Sequence, residues 1–259
     1  MVAAPRSPMS RFPFLDHPTP IAFAHRGGAL DGPENTLRAF AAAVALGYRY
    51  METDLHATRD GVLVALHDDR LDRVTDRAGR LSELPWSEVS RARVEGREPI
   101  PRFDELIDAW PDARFNLDLK HDAAVGPLAA ALLRADAVDR VCVGSFSGRR
   151  LVRIRKALGP RLCTSGGPAE VLRLRATSWA LPAGAPSVPC VQVPPLHRGI
   201  PVIDAAFVRA AHDRGIQVHA WTINDAEAMM RLLDLGVDGI MTDRPSLLKS
   251  VLVARGSWT

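Results

Sequence analysis

The chain has 259 residues, which exceeds the size of most single domains but matches one (β/α)8 barrel, so a second domain is not required. Hydrophobic residues make up 47% of the sequence and can fill a large core, while the formal net charge of only +3 lacks the basic excess of nucleic-acid-binding proteins. Composition therefore predicts a folded protein with no nucleic-acid partner.

The cysteines and the N-terminal segment indicate the cellular compartment of the protein. Cys142, Cys163 and Cys190 are far apart in the sequence and lack a CxxC spacing, which is typical of buried thiols in a reducing compartment. Residues 1–20 lack the apolar segment of a signal peptide, and no later run reaches the roughly 18 apolar residues that span a bilayer. We therefore expect a soluble cytoplasmic protein without an integral membrane segment.

After a proline-rich lead-in of residues 1–20, short apolar runs alternate with longer helical patterns, which is typical of βα units around a parallel sheet. The first helix is predicted at TLRAFAAAVALG, where Asn35 or Thr36 can cap its start and Gly47 can end it. Eight units in a chain of this length predict an α/β fold, a closed (β/α)8 TIM barrel, although the pattern alone also permits an open doubly wound sheet. The eight predicted strands lie at residues 21–25, 48–54, 114–120, 140–145, 161–165, 190–193, 216–221 and 239–242.

A small insertion is predicted after the second strand, because residues of about 56–100 are too many for one βα connection. Within this stretch GVLVALHDD predicts an extra hairpin and ELPWSEVSRA a short helix, and PIPRFDELIDAW is the second barrel helix. Residues 182–201 are rich in proline and glycine and predict a long loop around strand six. We therefore assign residues 21–259, including the insertion, to one barrel domain.

Charged side chains collect at the carboxyl ends of the second and third strands. Side chains two positions apart share a face of a strand, so Glu52 projects with Asp54, and Asp118 projects with Lys120. These charges are costly to desolvate unless a cation neutralises them, and three carboxylates without sulfur ligands favour Mg²⁺ or Ca²⁺ over Zn²⁺. Alternatively, the acids form salt bridges with nearby arginines or cap the following helices.

Two histidines lie at other strand ends. His25 ends the first strand and His67 ends the extra hairpin strand, and because free imidazole titrates near neutrality the two can act as general acid and general base. Taken singly, each is more often a structural histidine. Arg26 offers a bidentate guanidinium suited to phosphate, and the glycines after it allow the backbone to approach a ligand. His56 could share the face of Asp54, but we place it in a loop.

An ordered set of short motifs extends over residues 24–245: HRGG, PENT, ETD, HDD, NLDLK, WTIN and DGIMTDRP. This set resembles the glycerophosphodiester phosphodiesterase family. The resemblance covers most of the chain and implies a TIM barrel with its active site at the carboxyl ends of the strands.

The resemblance also implies roles for individual residues. Asp118 falls where many members of the family have glutamate, so its shorter side chain must approach a metal more closely or bind it through water. The implied roles are metal ligands for Glu52, Asp54 and Asp118, phosphate binding for Arg26 and Lys120, and acid/base catalysis for His25 and His67.

Four further residues match the motifs with less defined roles. Glu34 and Asn35 match a Glu-Asn-Thr segment, where a structural role at the start of the first helix competes with ligand contact. Trp221 ends strand seven and either forms an apolar wall for the glycerol or leaving group or belongs to the core. Asp243 is expected to hydrogen-bond at a strand end or cap a helix.

The implied reaction is metal-dependent hydrolysis of a glycerophosphodiester to sn-glycerol 3-phosphate and an alcohol such as choline, ethanolamine or glycerol. The expected cofactor is one divalent cation, Mg²⁺ or Ca²⁺, with Mn²⁺ as a further candidate, and the partner is the small-molecule substrate. Such a phosphoric diester hydrolase would serve glycerol and lipid metabolism. The sequence leaves open which histidine is the acid, whether water or the glycerol 2-hydroxyl attacks, and the oligomeric state.

Two alternatives compete with this function. A lysophospholipase D-like phosphodiesterase would act on lysolipids and would need an apolar approach to the barrel mouth, for which the loop of residues 182–201 offers Val188, Val191 and Leu196. A non-catalytic barrel that binds a phosphodiester or a metal is the second alternative. Turnover of a diester separates both enzymes from the binding protein.

Overall fold

The computed structural model describes residues 11–18, 20–184 and 186–259. In this part of the chain the strands are β1 (Ile21–His25), β2 (Tyr50–Ala57), β3 (Leu63–Ala65), β4 (Arg93–Val94), β5 (Glu98–Pro99), β6 (Arg114–Leu119), β7 (Val141–Gly144), β8 (Cys163–Thr164), β9 (Cys190–Val193), β10 (Leu196–His197), β11 (Ile200–Pro201), β12 (Gln217–Ala220) and β13 (Gly239–Thr242). The α-helices are α1 (Leu37–Ala45), α2 (Trp86–Val89), α3 (Phe103–Ala109), α4 (Val125–Arg134), α5 (Gly148–Leu158), α6 (Pro168–Ser178), α7 (Ala205–His212), α8 (Ala226–Asp234) and α9 (Pro245–Ala254). Most of the predicted lead-in, residues 1–10 and 19, lies outside the described residues.

Eight parallel strands form the centre of the molecule. They pair in the order β8, β7, β6, β2, β1, β13, β12 and β9. The ends of this sheet meet between β8 and β9, where Ser165 and Cys190 form an isolated parallel bridge and the Gly166 amide donates to the Cys190 carbonyl at 2.8 Å. The predicted (β/α)8 TIM barrel is confirmed, and the open doubly wound sheet is wrong.

The side chains of each strand alternate between the barrel interior and the helices around it. On β9, Val191 and Val193 pack against the helices, whereas Cys190 packs inside the barrel and Gln192 lines a cavity at its mouth. Full burial of an aliphatic side chain contributes about 1.5–3 kcal/mol to folding. The helices are therefore held to the sheet by its outward-facing positions, which leaves the inward-facing positions for the site.

The first βα unit follows the predicted caps. Thr36 lies just before α1, and its hydroxyl oxygen accepts a hydrogen bond from the Ala39 amide at 3.2 Å, which satisfies one free amide of the first turn. Gly47 follows the helix with a φ of +94°, a left-handed conformation that glycine adopts without strain. Thr36 is thus the residue that caps this helix.

A short 3-10 turn, Pro13–Leu15, lies against the inward-facing core. Phe14 is fully buried, and its ring packs edge-on against Tyr50 with centroids 5.2 Å apart and stacks on Phe23 at 6.3 Å. The Tyr50 hydroxyl donates a hydrogen bond to the Phe14 carbonyl at 2.7 Å. The end of the lead-in is therefore part of the packed barrel.

The insertion after the second strand largely follows the prediction. The strand β3 pairs antiparallel with Leu55–Ala57, which extends β2 three residues beyond its predicted end, and the helices α2 and α3 lie in the predicted segments. The hairpin of β4 and β5 was not predicted, nor was the hairpin of β10 and β11 within residues 182–201. Strands of two residues carry too little alternation to be recognised in a sequence.

Among the described residues, no helix combines the length and apolarity needed for a bilayer crossing.

Candidate active site

A cavity of about 560 Å³ opens at the carboxyl ends of the barrel strands. It brings together residues that β1, β2, β6 and β12 deliver from distant parts of the sequence, because parallel strands all end at the same rim. All eight residues predicted for the site line this one cavity: His25, Arg26, Glu52, Asp54, His67, Asp118, Lys120 and Trp221.

Arg26 is held by acids on three sides. Its backbone amide donates to Glu52 Oε2 at 3.1 Å, its Nη1 donates to Glu34 Oε1 at 3.2 Å, and its Nε lies 3.1 Å from Asp54 Oδ2. The residue has a φ of +52°, which turns the chain immediately after β1. The guanidinium is therefore fixed beside the carboxylates rather than free in solvent.

His25 lies between two carboxylates. Its Nδ1 is 2.5 Å from Asp243 Oδ1, and its Nε2 is 3.7 Å from Glu52 Oε2. Burial opposes a charge on the imidazole, but the negative charges of Glu52 and Asp243 outweigh burial and raise the pKa of His25. Asn224 holds Asp243 in turn, since its Nδ2 donates to Asp243 Oδ2 and its Oδ1 accepts from the Asp243 amide, both at 2.8 Å.

Lys120 bridges two of the acids. Its Nζ lies 2.9 Å from Asp54 Oδ1 and 2.6 Å from Asp118 Oδ2. Burial opposes the ammonium charge, but the charges of these two carboxylates raise the pKa of Lys120. Burial also opposes ionisation of Asp54, yet Lys120 and Arg26 lower its pKa. The salt bridges expected as an alternative role for the acids thus exist within the site.

Glu52 and Asp118 are carboxyl groups whose ionisation is opposed by burial. Burial, followed by the charge of Asp54, raises the pKa of Glu52 to about 7. Burial also raises the pKa of Asp118, and its Oδ1 is buried without a hydrogen-bond partner among the described residues. Carboxylate oxygens of this kind are the preferred ligands of hard divalent cations, so the donor set of Glu52, Asp54 and Asp118 fits such an ion.

His67 approaches the cavity from the loop after β3. Its Nδ1 lies 2.6 Å from Asp68 Oδ1, which leaves Nε2 for a ligand. Hydrogen bonds from Arg73 and from His67 lower the pKa of Asp68 to about 2, against a modest opposing effect of burial. Each of the two candidate histidines therefore has its own aspartate at Nδ1.

The sequence prediction for His56 was wrong. It belongs to β2 and is buried rather than being in a loop, because β3 pairs with this end of the strand. Its Nε2 lies 3.1 Å from the carbonyl oxygen of His67. Burial lowers the pKa of His56, so it donates from a neutral ring and fixes the backbone that presents His67.

The opposite side of the cavity is apolar. Trp221 and Phe146 pack edge to face with ring centroids 5.9 Å apart, and Leu172 of α6 lines the cavity with an exposed side chain. Of the residues predicted to form an apolar approach, Val188 and Val191 are buried beneath the surface, and only Leu196 is exposed. Phe146 and Leu172 were not identified from the sequence, because nothing in a sequence distinguishes an exposed phenylalanine from a core one.

Polar side chains that the sequence did not indicate form the floor of the cavity. The Gln192 side chain donates to Asn116 Oδ1 at 2.6 Å across the barrel interior, between β9 and β6, which β8 and β7 separate in the sheet. Asn116 precedes Asp118 by two positions and so faces the same side of β6, and this alternation is the signal that could have identified it.

The chain matches known proteins along most of its length. The model of the glycerophosphoryl diester phosphodiesterase family matches residues 25–247. A Mycobacterium tuberculosis protein with the name "Probable glycerophosphodiester phosphodiesterase 2" is 42% identical over 254 residues, which are 95% of each chain.

Two solved structures extend this similarity. The structure of a Silicibacter pomeroyi protein assigned to the glycerophosphoryl diester phosphodiesterases has a TM-score of 0.82 at 27% identity, and the match covers 96% of this chain and 100% of that one. An Oleispira antarctica phosphodiesterase, solved with its product sn-glycerol-3-phosphate, has a TM-score of 0.75 at 25% identity over 91% of this chain and 97% of its own.

The fold and the cavity define a TIM-barrel enzyme with an ionic site at the carboxyl ends of its strands. The chain belongs to the glycerophosphoryl diester phosphodiesterase family. It is accordingly a phosphoric diester hydrolase.

Proposed function

We propose that the protein hydrolyses glycerophosphodiesters to sn-glycerol 3-phosphate and an alcohol, using His25 and His67 as its acid/base pair. The observation that carries the proposal is the position of two cations, Arg26 and Lys120, in one cavity with two histidines that each contact an aspartate. The sn-glycerol-3-phosphate bound to the Oleispira antarctica relative supports the same product class here.

The two cations would bind the phosphodiester. Its phosphoryl oxygens carry the negative charge that grows in the transition state, and fixed cations lower the energy of that state because they need no reorganisation. Arg26 is held by Glu34 and Asp54, and Lys120 by Asp54 and Asp118, so both charges are oriented before substrate binds. This preorganisation is the contribution we assign to the acids around them.

The two histidines would move the protons. One imidazole removes the proton of the attacking hydroxyl or water, and the other protonates the oxygen of the leaving alcohol as its bond to phosphorus breaks. Asp243 and Asp68 orient the rings through Nδ1, so that Nε2 of each ring exchanges the proton. The raised pKa of His25 suits it to carry a proton near neutral pH.

Glu52, Asp54 and Asp118 would hold one divalent cation, Mg²⁺ or Ca²⁺, with Mn²⁺ as a further candidate. When bound, such an ion polarises a phosphoryl oxygen and offsets its charge. The raised pKa of Glu52 and the unpaired Oδ1 of Asp118 support this assignment, because a cation would satisfy both.

The test is release of sn-glycerol 3-phosphate from glycerophosphocholine and glycerophosphoethanolamine by protein stripped with EDTA, with Mg²⁺, Ca²⁺ or Mn²⁺ restored separately. We expect no turnover without metal and recovery with at least one ion. Equal turnover with EDTA and with restored metal would overturn the metal assignment. A lack of turnover of both substrates with every ion would overturn the substrate assignment.

A lysophospholipase D-like activity is the second candidate, and the apolar cavity wall favours it. Trp221, Phe146 and Leu172 line the same cavity as the ionic residues, so the acyl chain of a lysolipid could rest against them while choline leaves. Choline release from lysophosphatidylcholine, measured under the same metal conditions, distinguishes the candidates. Cleavage of the lysolipid without cleavage of glycerophosphocholine would select this activity, and binding of either diester without turnover would select the non-catalytic barrel.

We also propose a cytoplasmic location and a role in glycerol and lipid metabolism. The three cysteines support the first assignment, since no disulfide joins them although they are neighbours inside the barrel. Fractionation of the native host with an antibody to the protein tests it, and recovery outside the cytoplasmic fraction would overturn it.

A further inference from the structure

Three cysteines that are far apart in the sequence meet inside the barrel. Cys142, Cys163 and Cys190 lie on β7, β8 and β9, and their sulfurs are all within 4.8 Å of one another. The Sγ atoms of Cys142 and Cys190 are 3.8 Å apart. Each cysteine is at most 1% exposed, so the group is sealed from solvent.

This thiol cluster, Cys142, Cys163 and Cys190, is separate from the active site. Each cysteine comes two positions before a residue that lines the cavity, namely Gly144, Ser165 and Gln192. Side chains two positions apart share a face of a strand, so the cluster occupies the layer of the barrel interior beneath the cavity. It packs with Phe14, Phe23 and Tyr50 rather than with the carboxylates.

The spacing of the sulfurs fits a tetrahedral metal ion. Zinc–sulfur bonds of about 2.3 Å place two sulfurs of a tetrahedral site roughly 3.8 Å apart, which is the separation of Cys142 and Cys190. The remaining pairs, within 4.8 Å, need a contraction of at most about 1 Å. Thiolates also prefer soft or borderline ions, in contrast to the carboxylates above them.

A buried imidazole nitrogen on β12, the strand paired with β9, is available as a fourth donor. His219 on β12 is fully buried, and its Nε2 contacts Gln217 Oε1 at 3.1 Å. Because the Gln217 amide nitrogen donates to the Leu15 carbonyl, Oε1 is the acceptor, so Nε2 of His219 bears the hydrogen and Nδ1 bears a lone pair. That Nδ1 is buried without a partner among the described residues.

His219 lies two positions after Gln217, the residue of β12 that is paired with Cys190 of β9, although His219 is not one of the mutually adjacent donors. Its ring must therefore shift to complete a tetrahedron. Three thiolates and one histidine are among the established ligand sets of structural zinc.

We propose that Cys142, Cys163 and Cys190 bind a structural Zn²⁺ ion, with His219 Nδ1 as the fourth ligand. Three thiol S–H bonds break, and three Zn–S bonds and one Zn–N bond replace the water bound to the hydrated ion. Three protons and the displaced water leave to solvent, and no electron is transferred. The ion joins β7, β8 and β9 across the β8–β9 seam, where Ser165 and Cys190 form an isolated bridge. Zinc would therefore reinforce barrel closure rather than take part in hydrolysis.

The first test measures zinc in the full-length protein after expression in zinc-supplemented medium and dialysis against EDTA under reducing conditions. We expect about one zinc ion per chain in the wild type. Asp54→Asn is the matched control, because it disables the carboxylate site and should retain the same zinc. Cys190→Ala should retain essentially none, and His219→Ala should retain less than the wild type.

Zinc absent from the wild type, or present equally in Cys190→Ala, would overturn the thiol site, and full retention in His219→Ala would remove His219 from it. If Cys190→Ala fails to fold, Co²⁺ substitution in the wild type and in Asp54→Asn replaces that arm. A thiolate-to-cobalt charge-transfer band in both proteins supports sulfur ligation. Absence of the band in both would overturn it.

Discussion

His25 Nδ1 and Asp243 Oδ1 lie 2.5 Å apart although 218 positions separate them in the sequence. The contact joins the end of β1 to the loop after β13. The two strands are neighbours in the barrel. Asp243 is itself fixed by Asn224, so an aspartate and an asparagine orient one imidazole. These contacts fix the imidazole ring of His25 before substrate binds.

Removal of either proposed acid/base histidine should reduce turnover sharply. We expect His25→Ala and His67→Ala each to lower kcat by about 10²-fold or more, because positioned acid/base groups contribute factors of this size. Steady-state release of sn-glycerol 3-phosphate measures the effect. His212→Ala, at the end of α7, is the matched control and should keep the wild-type rate. Near-normal turnover of either active-site variant would remove that residue from the mechanism.

Asp243→Asn should change the pH dependence as well as the rate. The charge of Asp243 raises the pKa of His25, so its removal lowers that pKa, and the limb of the kcat/KM profile that reports His25 moves to lower pH. We also expect kcat to fall about 10- to 100-fold, the equivalent of the roughly 1.5–3 kcal/mol of a hydrogen bond to a charged group. Asp225→Asn at the cap of α8 is the control. If the role of Asp243 is purely structural, Asp243→Asn would lower kcat without shifting the limb of the kcat/KM profile that reports His25.

Lys120→Met should destabilise the fold, since it leaves Asp54 and Asp118 without the ammonium that bridges them. Breaking a buried ion pair by removal of one partner costs about 3–5 kcal/mol. Urea denaturation in EDTA measures the free energy of unfolding. The double variant Lys120→Met, Asp118→Asn should recover part of the loss, because Asp118 is the carboxylate left without an ion pair, whereas Asp54 keeps Arg26. Equal stability of the single variant and the wild type would contradict this account of the site.

Phe14→Ala should destabilise the fold, because Phe14 packs against the core inside the barrel. The ring is fully buried against Phe23 and Tyr50, and truncation of a buried phenylalanine costs about 3–5 kcal/mol. Thermal unfolding compares it with Phe146→Ala, a phenylalanine that is 68% exposed at the cavity mouth and should change stability little. If the two variants unfold at the same temperature, the turn Pro13–Leu15 does not contribute to the core.

The sequence predicted those parts of the fold and site that depend on local pattern. Alternation along a strand is local, so the shared faces of Glu52 with Asp54 and of Asp118 with Lys120 could be predicted, and the barrel brings both pairs into one cavity. The two-residue hairpins carry no such period and were missed.

Relationships between distant residues could not be predicted from local pattern. The contact of His25 with Asp243 depends on which strands are neighbours, and the placement of His56 depends on the pairing of β3 with β2. The thiol cluster is the clearest example, because the lack of a CxxC spacing predicted buried thiols but gave no sign that they share one site. Barrel register brings the three sulfurs together all the same.

Because β8 is short, the barrel strands are expected to separate most easily next to it. Two residue pairs join β8 to β7, and the isolated bridge of Ser165 with Cys190 joins its end to β9. The β8–β9 seam therefore has fewer paired residues than the other seams of the described barrel. Local fluctuations that admit deuterium should therefore begin at this seam. Ser165 and Gly166 also line the cavity, so the most easily opened part of the barrel adjoins the apolar wall, where the acyl chain of a larger substrate would need room.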